Sequence, residues 1–304
     1  MNPQKITRTL AFAGVLLAIA TLFFPAPSAA GVPAASVSQR HRKTEAAIRV
    51  VSANIRHDFA KDFETGDSWE PRKEFCRDVL LAQDADIFCF QEMRINNFDY
   101  LKENLPGFAA FYGPAEASKN AIFYSTKRFE KIEGGAFWLS DTPEKPFSHL
   151  PKSGDRVANH LLLRDKLTGR RLLVWNTHFQ HDNEDVRTRQ ARIFTSFAEK
   201  RPADIPQILT ADFNADANTP AIQHLKASGW IDSYAAVHGP AEPGYTFHGF
   251  AGRAYKNPNS PGKIDFVFSN NLLRATAAEI IRDSNGKRYP SDHYFVSAEM
   301  EYTP

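Results

Sequence analysis

Apolar runs rich in β-branched and aromatic residues alternate with segments of helical periodicity along most of the chain. Strands are predicted at "AIRVVSAN", "ADIFCFQE", "NAIFYS", "FEKIEGGAFWLS", "IPQILTADFN", "KIDFVFS", "ATAAEIIR" and "DHYFVSAEME". The stretch "VANHLLLRDKLTGRRLLVWNTHF" predicts a hairpin that turns at Thr168 and Gly169. The folded domain is therefore expected to begin near Ala47, where the first strand starts, and to cover residues 47–304.

Apolar residues recur at helical spacing in "WEPRKEFCRDVLLAQ", "INNFDYLKENL" and "EDVRTRQARIFTSFAEK". The third segment has acidic residues at its start and Lys200 at its end, as the helix dipole favours. A short helix is predicted from about Thr219, with Asp216 in the preceding turn and Asn218 as its N-cap. This alternation predicts an α/β fold, and both a doubly wound sheet and a pair of packed sheets agree with it.

Many of the predicted strands end in, or begin with, a hydrogen-bonding or ionisable side chain. These residues are Asn54, Glu92, His178, Asp212 with Asn214, Asp265, and Asp292 with His293. Each of them alone also has a structural explanation as a turn residue, a helix cap or a hydrogen-bonded core residue. Unpaired charges are costly to bury, so a set that converges at one sheet edge requires a metal, a substrate or mutual hydrogen bonds.

The first thirty residues differ in character from the rest. Lys5 and Arg8 precede the apolar run "LAFAGVLLAIATLFF", which stops at Pro25 and is followed by the small residues of "APSAAG". This pattern predicts a signal peptide over residues 1–30, cut near Ala30, and a secreted or periplasmic protein. An uncleaved anchor is the alternative, although the run is shorter than the roughly twenty residues of a membrane span. Residues 31–46 lack periodicity and predict a flexible leader.

The composition is that of a globular protein, with 42% hydrophobic and 24% charged residues, which excludes disorder and fibres. The chain has 37 Lys and Arg against 35 Asp and Glu, and removal of Lys5 and Arg8 leaves 35 of each sign. Nucleic-acid binding is not indicated by this balance, because affinity for nucleic acids comes largely from neutralising phosphates. The sequence leaves two states open for Cys76 and Cys89, a disulfide bond or two buried thiols.

Six short motifs in order, "SANI", "FQE", "NTHF", "TADFN", "KIDFVF" and "SDH", resemble the endonuclease/exonuclease/phosphatase family of metal-dependent phosphoesterases. The resemblance covers about residues 47–302. It is greatest to secreted bacterial members, through "SWE-x-RK" at Ser68 to Lys73 and "FWLS-x-TP" at Phe137 to Pro143. The resemblance implies an α/β four-layer sandwich, in which two mixed β-sheets pack face to face and helices flank them.

The resemblance also implies a divalent cation, which neutralises phosphoryl charge and polarises phosphorus. Mg²⁺ prefers one or two carboxylates, which suits Glu92 with Asn54 and Asp292 as metal ligands; Mn²⁺ is the alternative. By resemblance, Asp212 is the general base that deprotonates the attacking water, and Asn214 orients that water from the same face of the strand.

Further roles follow from the same resemblance. His178 and His293 are expected to donate hydrogen bonds to the phosphoryl oxygens, and Asp265 to hold His293 in its imidazolium form. Arg156 and Lys263 are expected to bind the anionic substrate. The chain departs from the bacterial members after Arg156, since "RVANHL" stands where they typically read Arg-x-x-Thr-Trp-Ala, which leaves the substrate open.

The expected function is that of a secreted, Mg²⁺-dependent hydrolase of phosphate esters, a phosphodiesterase or a phosphatase, acting as a monomer without stable membrane insertion. An extracellular nuclease is the alternative within the same enzyme class. A catalytically silent or glycan-binding module on the same scaffold is the alternative from another class, and the intact candidates for base, metal ligand and paired His and Asp favour the enzyme.

Overall fold

The computed structural model describes residues 37, 39–41, 44–113, 119–145, 156–257, 261–286 and 288–304. All of them belong to one unit of the chain, Ala35–Pro304. The predicted signal peptide lies outside the described residues, as does much of the predicted leader.

The described residues form twelve β-strands and six α-helices. The strands are β1 (Ile48–Asn54), β2 (Ile87–Gln91), β3 (Phe108–Tyr112), β4 (Ala121–Ser125), β5 (Phe129–Trp138), β6 (Val157–Asp165), β7 (Arg171–His178), β8 (Gln207–Asp212), β9 (Ile231–Asp232), β10 (Asp265–Ser269), β11 (Leu273–Ile281) and β12 (Phe295–Tyr302). The helices are α1 (Ala60–Thr65), α2 (Trp69–Leu81), α3 (Ile95–Asn104), α4 (Glu184–Ala198), α5 (Pro220–Ala227) and α6 (Ser233–His238).

The strands build two six-stranded sheets, ordered β11-β12-β1-β2-β4-β3 and β5-β6-β7-β8-β10-β9. Each sheet is mixed, because β1 and β2 run parallel in the first and β7 and β8 run parallel in the second, while the other pairs are antiparallel. Within each parallel pair, the carboxyl ends of the two strands lie side by side, so the side chains at these ends are neighbours.

Successive residues of the central strands pack on opposite sides, which explains their continuous apolar runs. Val50 of β1 packs with Val174 of β7 between the sheets. Val51, the next residue, packs instead against α2 through Val79. On the other sheet, residues of β7 and β8 pack against α4 and α5. The layers are therefore helices, sheet, sheet and helices, and the predicted four-layer α/β sandwich is confirmed.

The strands and helices predicted from the sequence are present, with bounds that differ by a few residues. Four elements were not predicted: α1, β3, β9 and α6, all of six residues or fewer, with β9 having only two. Asp292 and His293 precede β12 rather than lying in it. The N-cap of α5 is Thr219, so the N-cap prediction for Asn218 is wrong by one residue.

Arg40, in the predicted flexible leader, contacts the domain. Its backbone amide donates to the carbonyl of Ala82 at 2.8 Å, and its guanidinium binds Glu279 and Asp283, each at 2.8 Å. The end of this segment is therefore held against the first sheet. Among the described residues, no helix has both the length and the apolarity to cross a membrane.

Candidate active site

The strand register brings the predicted polar residues to one edge of the two sheets. His178 lies opposite Asp212 in the parallel pair of β7 and β8, and Asp265 lies opposite Asp212 in the antiparallel pair of β8 and β10. In the other sheet, Asn54 at the end of β1 lies beside Gln91 at the end of β2. Asn54 Nδ2 donates to Asp212 Oδ2 at 2.9 Å and so joins the two sheets.

Asp212 is buried at the centre of this group, and both of its carboxylate oxygens accept hydrogen bonds. Oδ2 accepts from Asn54, and Oδ1 accepts from the backbone amide of Asn214 at 2.9 Å. Burial and the nearby charge of Asp265 raise the pKa of Asp212 to about 7. A carboxylate in this state is a stronger proton acceptor than an exposed aspartate.

His293 lies between two carboxylates. Its Nδ1 is 2.9 Å from Asp265 Oδ2, and its Nε2 is 3.8 Å from Asp212 Oδ2. Burial lowers the pKa of His293, but Asp265 and Asp212 outweigh burial and raise it to about 10. His293 is therefore an imidazolium at neutral pH, held by Asp265 through Nδ1 as the resemblance implies.

Asn214 reaches the site by a different route from the one predicted. Strand β8 ends at Asp212, and Asn214 lies beyond it with a φ of 49°, in the left-handed region that Asn tolerates better than most residues. The prediction that Asn214 continues the same strand face is therefore wrong. Its Nδ2 lies 2.9 Å from His178 Nε2 and donates to the carbonyl of Phe179 at 3.1 Å.

This arrangement decides the state of His178. Because Asn214 Nδ2 is a donor, His178 Nε2 is the accepting, unprotonated nitrogen. Burial, and then the charge of Arg156, lower the pKa of His178 well below its ordinary value, so the ring is neutral. In this geometry His178 Nε2 has no hydrogen to give to a phosphoryl oxygen, contrary to the prediction.

Glu92 follows β2 with a φ of 56°, again in the left-handed region. Its Oε2 lies 2.8 Å from His57 Nδ1, and its Oε1 lies 3.4 Å from Asn54 Nδ2. Burial raises the pKa of Glu92, but the close contact with His57 and the charge of the His293 imidazolium together lower it. The carboxylate is therefore ionised and only partly enclosed.

Asp292 lies on the same side of the site and is bound by Arg56. Its Oδ2 is 3.2 Å from Arg56 Nη1, and its Oδ1 accepts from Ser291 Oγ at 3.3 Å. Burial raises the pKa of Asp292, while His293, Arg56 and Arg72 oppose that rise. Both oxygens of Asp292 thus already have partners.

The two predicted anion-binding residues separate in the structure. Arg156 stands directly before β6. Burial lowers the pKa of Arg156, while the charges of nearby Asp212 and Glu92 oppose that decrease. Lys263 is directed elsewhere, because its ammonium binds Asp232 Oδ2 at 3.1 Å and packs over the ring of Phe266. Lys263 is therefore part of a buried ion pair and not of this cluster.

Arg56 and His57 were not identified from the sequence, although they stand directly after the first predicted strand. Their charged or polar side chains so close to Asn54 were the only available signal. Asn159 and His160, which follow Arg156 where the bacterial members typically have Thr-Trp, are neighbours on β6 with different partners. Asn159 donates to the carbonyl of Asn120 at 2.8 Å, and His160 packs on Trp175.

The site suits a hard divalent cation. Its donors are carboxylates and amides, and Asp265 Oδ1 is buried without a hydrogen-bond partner among the described residues. Asp212, Asp265 and His293 offer ligand atoms within 4.8 Å of one another, but His293 already binds Asp265. Glu92 is the more accessible anionic ligand.

Asn54 takes part in this site as a donor. Its Oδ1 accepts from the backbone amide of Arg56 at 3.0 Å, which turns its Nδ2 toward Asp212 and Glu92. Metal ligation requires an amide oxygen. The predicted ligand role of Asn54 is therefore not supported in this orientation, and Glu92 stays a predicted ligand.

Comparison with known proteins agrees with this geometry. The mannosyl-6-phosphatase of Bacteroides thetaiotaomicron is 27% identical, with a TM-score of 0.76 over 84% of this chain and 100% of that one. An endonuclease/exonuclease/phosphatase family protein from the same organism is 28% identical, with a TM-score of 0.75 over 84% of this chain and 94% of that one.

The CCR4-Not complex 3′-5′-exoribonuclease subunit Ccr4 of Yarrowia lipolytica is 26% identical over 310 aligned residues, which cover 77% of this chain. They cover 44% of that relative, so the chain spans less than half of its length. The model of the Endonuclease/Exonuclease/phosphatase family matches residues 51–293. That match includes every polar residue of the cluster, and the chain belongs to the endonuclease/exonuclease/phosphatase family of metal-dependent phosphoester hydrolases.

Proposed function

We propose that this protein hydrolyses phosphate esters with a water activated by Asp212, in a reaction that depends on Mg²⁺, with Mn²⁺ as the alternative ion. The observation that carries the proposal is the arrangement at Asp212. A buried carboxylate with a raised pKa is held by Asn54 and Asn214, and the imidazolium of His293 lies 3.8 Å from it. A proton acceptor thus stands beside a positive hydrogen-bond donor.

The residues divide the reaction between them. Asp212 takes a proton from water, the water oxygen bonds to phosphorus, and the bond from phosphorus to the leaving oxygen breaks, after which that oxygen takes a proton from solvent water. His293 Nε2 donates to a phosphoryl oxygen, and Asp265 keeps His293 charged. Glu92, with Asp292 nearby, would hold a divalent cation, which would supply positive charge against the phosphoryl oxygens.

His178 has a supporting part in this scheme. By accepting from Asn214 Nδ2, it fixes the side-chain amide of Asn214, whose oxygen then remains available to the attacking water. Arg156 supplies a further positive charge near Asp212 and is proposed to bind a substrate oxygen. Lys263 has no part in substrate binding in this scheme.

Sugar phosphates are the first substrates to test. The mannosyl-6-phosphatase aligns with this chain over its whole length. The balanced charge of the chain is also less suited to a nucleic-acid groove. Nuclease activity is the second candidate, supported by the similarity to an exoribonuclease subunit. Export to the periplasm or medium is proposed from the pattern of the first thirty residues, and the protein is proposed to act as a monomer.

The proposal is tested with the chain as its host processes it. Hexose phosphates, nucleotides, phosphodiesters, RNA and DNA are each incubated with Mg²⁺, with Mn²⁺ or with EDTA, and the Asp212→Asn variant serves as the blank. We expect hydrolysis of one substrate class that requires the cation and Asp212. Hydrolysis that persists in EDTA, or in the folded variant, would overturn the mechanism.

A further inference from the structure

His57 contacts the carboxylate of Glu92 and has no role in the function proposed above. Its Nδ1 lies 2.8 Å from Glu92 Oε2, and its backbone amide donates to the same oxygen at 3.3 Å. Since an ionised carboxylate can only accept, His57 Nδ1 carries the hydrogen. The backbone amide of His57 donates to Oε2 and the imidazole contacts the same oxygen, while Oε1 is turned toward Asn54 and the rest of the site.

Glu92 needs such a support because of its backbone. Its φ of 56° is one that side-chain-bearing residues seldom adopt, and it directs the side chain away from the line of β2. The side chain is 15% exposed, so the carboxylate is mostly enclosed but remains open to the site. The contacts from His57 on Oε2, with the longer contact from Asn54 on Oε1, help to fix where Oε1 points.

His57 is itself held by an aromatic neighbour. Its ring centroid is 4.3 Å from that of Phe59, and the guanidinium of Arg56 lies 4.0 Å over the same Phe59 ring. Arg56 also binds Asp292 at 3.2 Å. Phe59 is 44% exposed, so it contributes little to the hydrophobic core, and its two contacts instead link the residues that hold Glu92 and Asp292.

We propose that His57 is a positioning residue that fixes the carboxylate of Glu92 for the divalent cation, with Phe59 keeping the imidazole in place. This inference rests on the proposed role of Glu92 as the cation's anchor. Residues that hydrogen-bond a ligating group commonly change metal affinity by about 10-fold to 100-fold when they are replaced. His57 is expected to act in the same way, without touching the substrate.

Two substitutions separate the hydrogen bond from the ring. His57→Phe keeps an aromatic ring beside Phe59 and removes the Nδ1 donor, whereas His57→Asn places an amide donor near the position of Nδ1 and removes the ring. Mg²⁺ affinity is measured by calorimetric titration without substrate, and folding by near-ultraviolet circular dichroism. We expect His57→Phe to weaken Mg²⁺ binding by about tenfold and His57→Asn to restore most of the affinity.

Two controls separate this inference from the proposed function. His160→Phe makes the same change on β6, where the imidazole contacts Arg201 and Glu133, and should leave Mg²⁺ affinity unchanged. Glu92→Gln should weaken Mg²⁺ binding more than either His57 variant. Unchanged affinity in Glu92→Gln would refute the proposed anchor itself.

The inference alone fails under two results. One is that Glu92→Gln weakens binding while folded His57→Phe binds Mg²⁺ like the wild type. The other is that His57→Asn binds as weakly as His57→Phe, since the donor would then be irrelevant. If His57→Phe does not fold, His57→Gln, whose amide lies too far out to replace Nδ1, takes its place with the same expected loss.

Discussion

Replacing Asp212 with Asn removes the proposed proton acceptor with almost no change in size. In the structure, Oδ1 accepts from the backbone amide of Asn214 and Oδ2 accepts from Asn54 Nδ2. A side-chain amide has one oxygen, so one of these two donors must face an NH₂ group instead. The substitution therefore removes the base and, in addition, breaks one buried hydrogen bond.

The two losses differ in size and in what they affect. General-base catalysis contributes about 10²-fold to 10⁴-fold, which equals roughly 2.7–5.4 kcal/mol of the activation barrier. One buried donor left without a partner costs about 1–3 kcal/mol of folding stability. Part of that cost is recovered, because burying a neutral amide is less costly than burying the carboxylate whose pKa burial raises to about 7. The variant should fold and be nearly inactive.

The assay is kcat/KM against pH at saturating Mg²⁺, together with urea unfolding. A base must be unprotonated, so wild-type activity should rise as pH increases through the apparent pKa of Asp212, and Asp212→Asn should lose that rise. Asp216→Asn is the matched control, since Asp216 Oδ1 only accepts from the backbone amide of Asn218 in the following turn. Hydrolysis by folded Asp212→Asn within about threefold of wild type would refute the reasoning.

Three further results are expected. Lys263→Met should lower the free energy of unfolding by about 3–5 kcal/mol, because Asp232 stays buried without its partner, and should leave KM unchanged; a raised KM at unchanged stability would return Lys263 to the substrate site. Cys76 and Cys89 are both free and buried, so without reductant they should react with Ellman's reagent only once the protein is unfolded. If the unfolded protein does not react, the two cysteines form a disulfide. The exported protein should begin between about residues 28 and 35, as measured by N-terminal sequencing, and retention of Lys5 would contradict this prediction.

The sequence predicts the position of most site residues because strand order and register turn a linear pattern into a cluster. His178 and Asp212 stand at the end of an apolar run and Asp265 at the start of one, and pairing of β7, β8 and β10 makes them neighbours. His57 lies outside that logic. It follows β1 in an irregular segment, and its contact with Glu92 depends on left-handed backbone at Glu92 and at Arg56, which no periodicity reveals.

The misplacement of Lys263 has a related cause. The family resemblance alone placed it at the substrate. The ammonium instead binds Asp232, which belongs to β9, a strand of two residues that is too short to produce a pattern of its own. Charge pairing across short, irregular elements is thus the part of the site that only the folded structure supplies.

The two histidines at Asp212 show how environment separates residues that the sequence treats alike. Both Nε2 atoms approach Asp212 Oδ2, His178 at 3.3 Å and His293 at 3.8 Å. Asp265 accepts from His293 Nδ1 and keeps that ring positive, whereas His178 receives a hydrogen bond from Asn214 and is neutral. Only His293 can therefore donate beside the base. The site can hold a proton acceptor and a charged donor a few ångströms apart because each is stabilised by a different third residue.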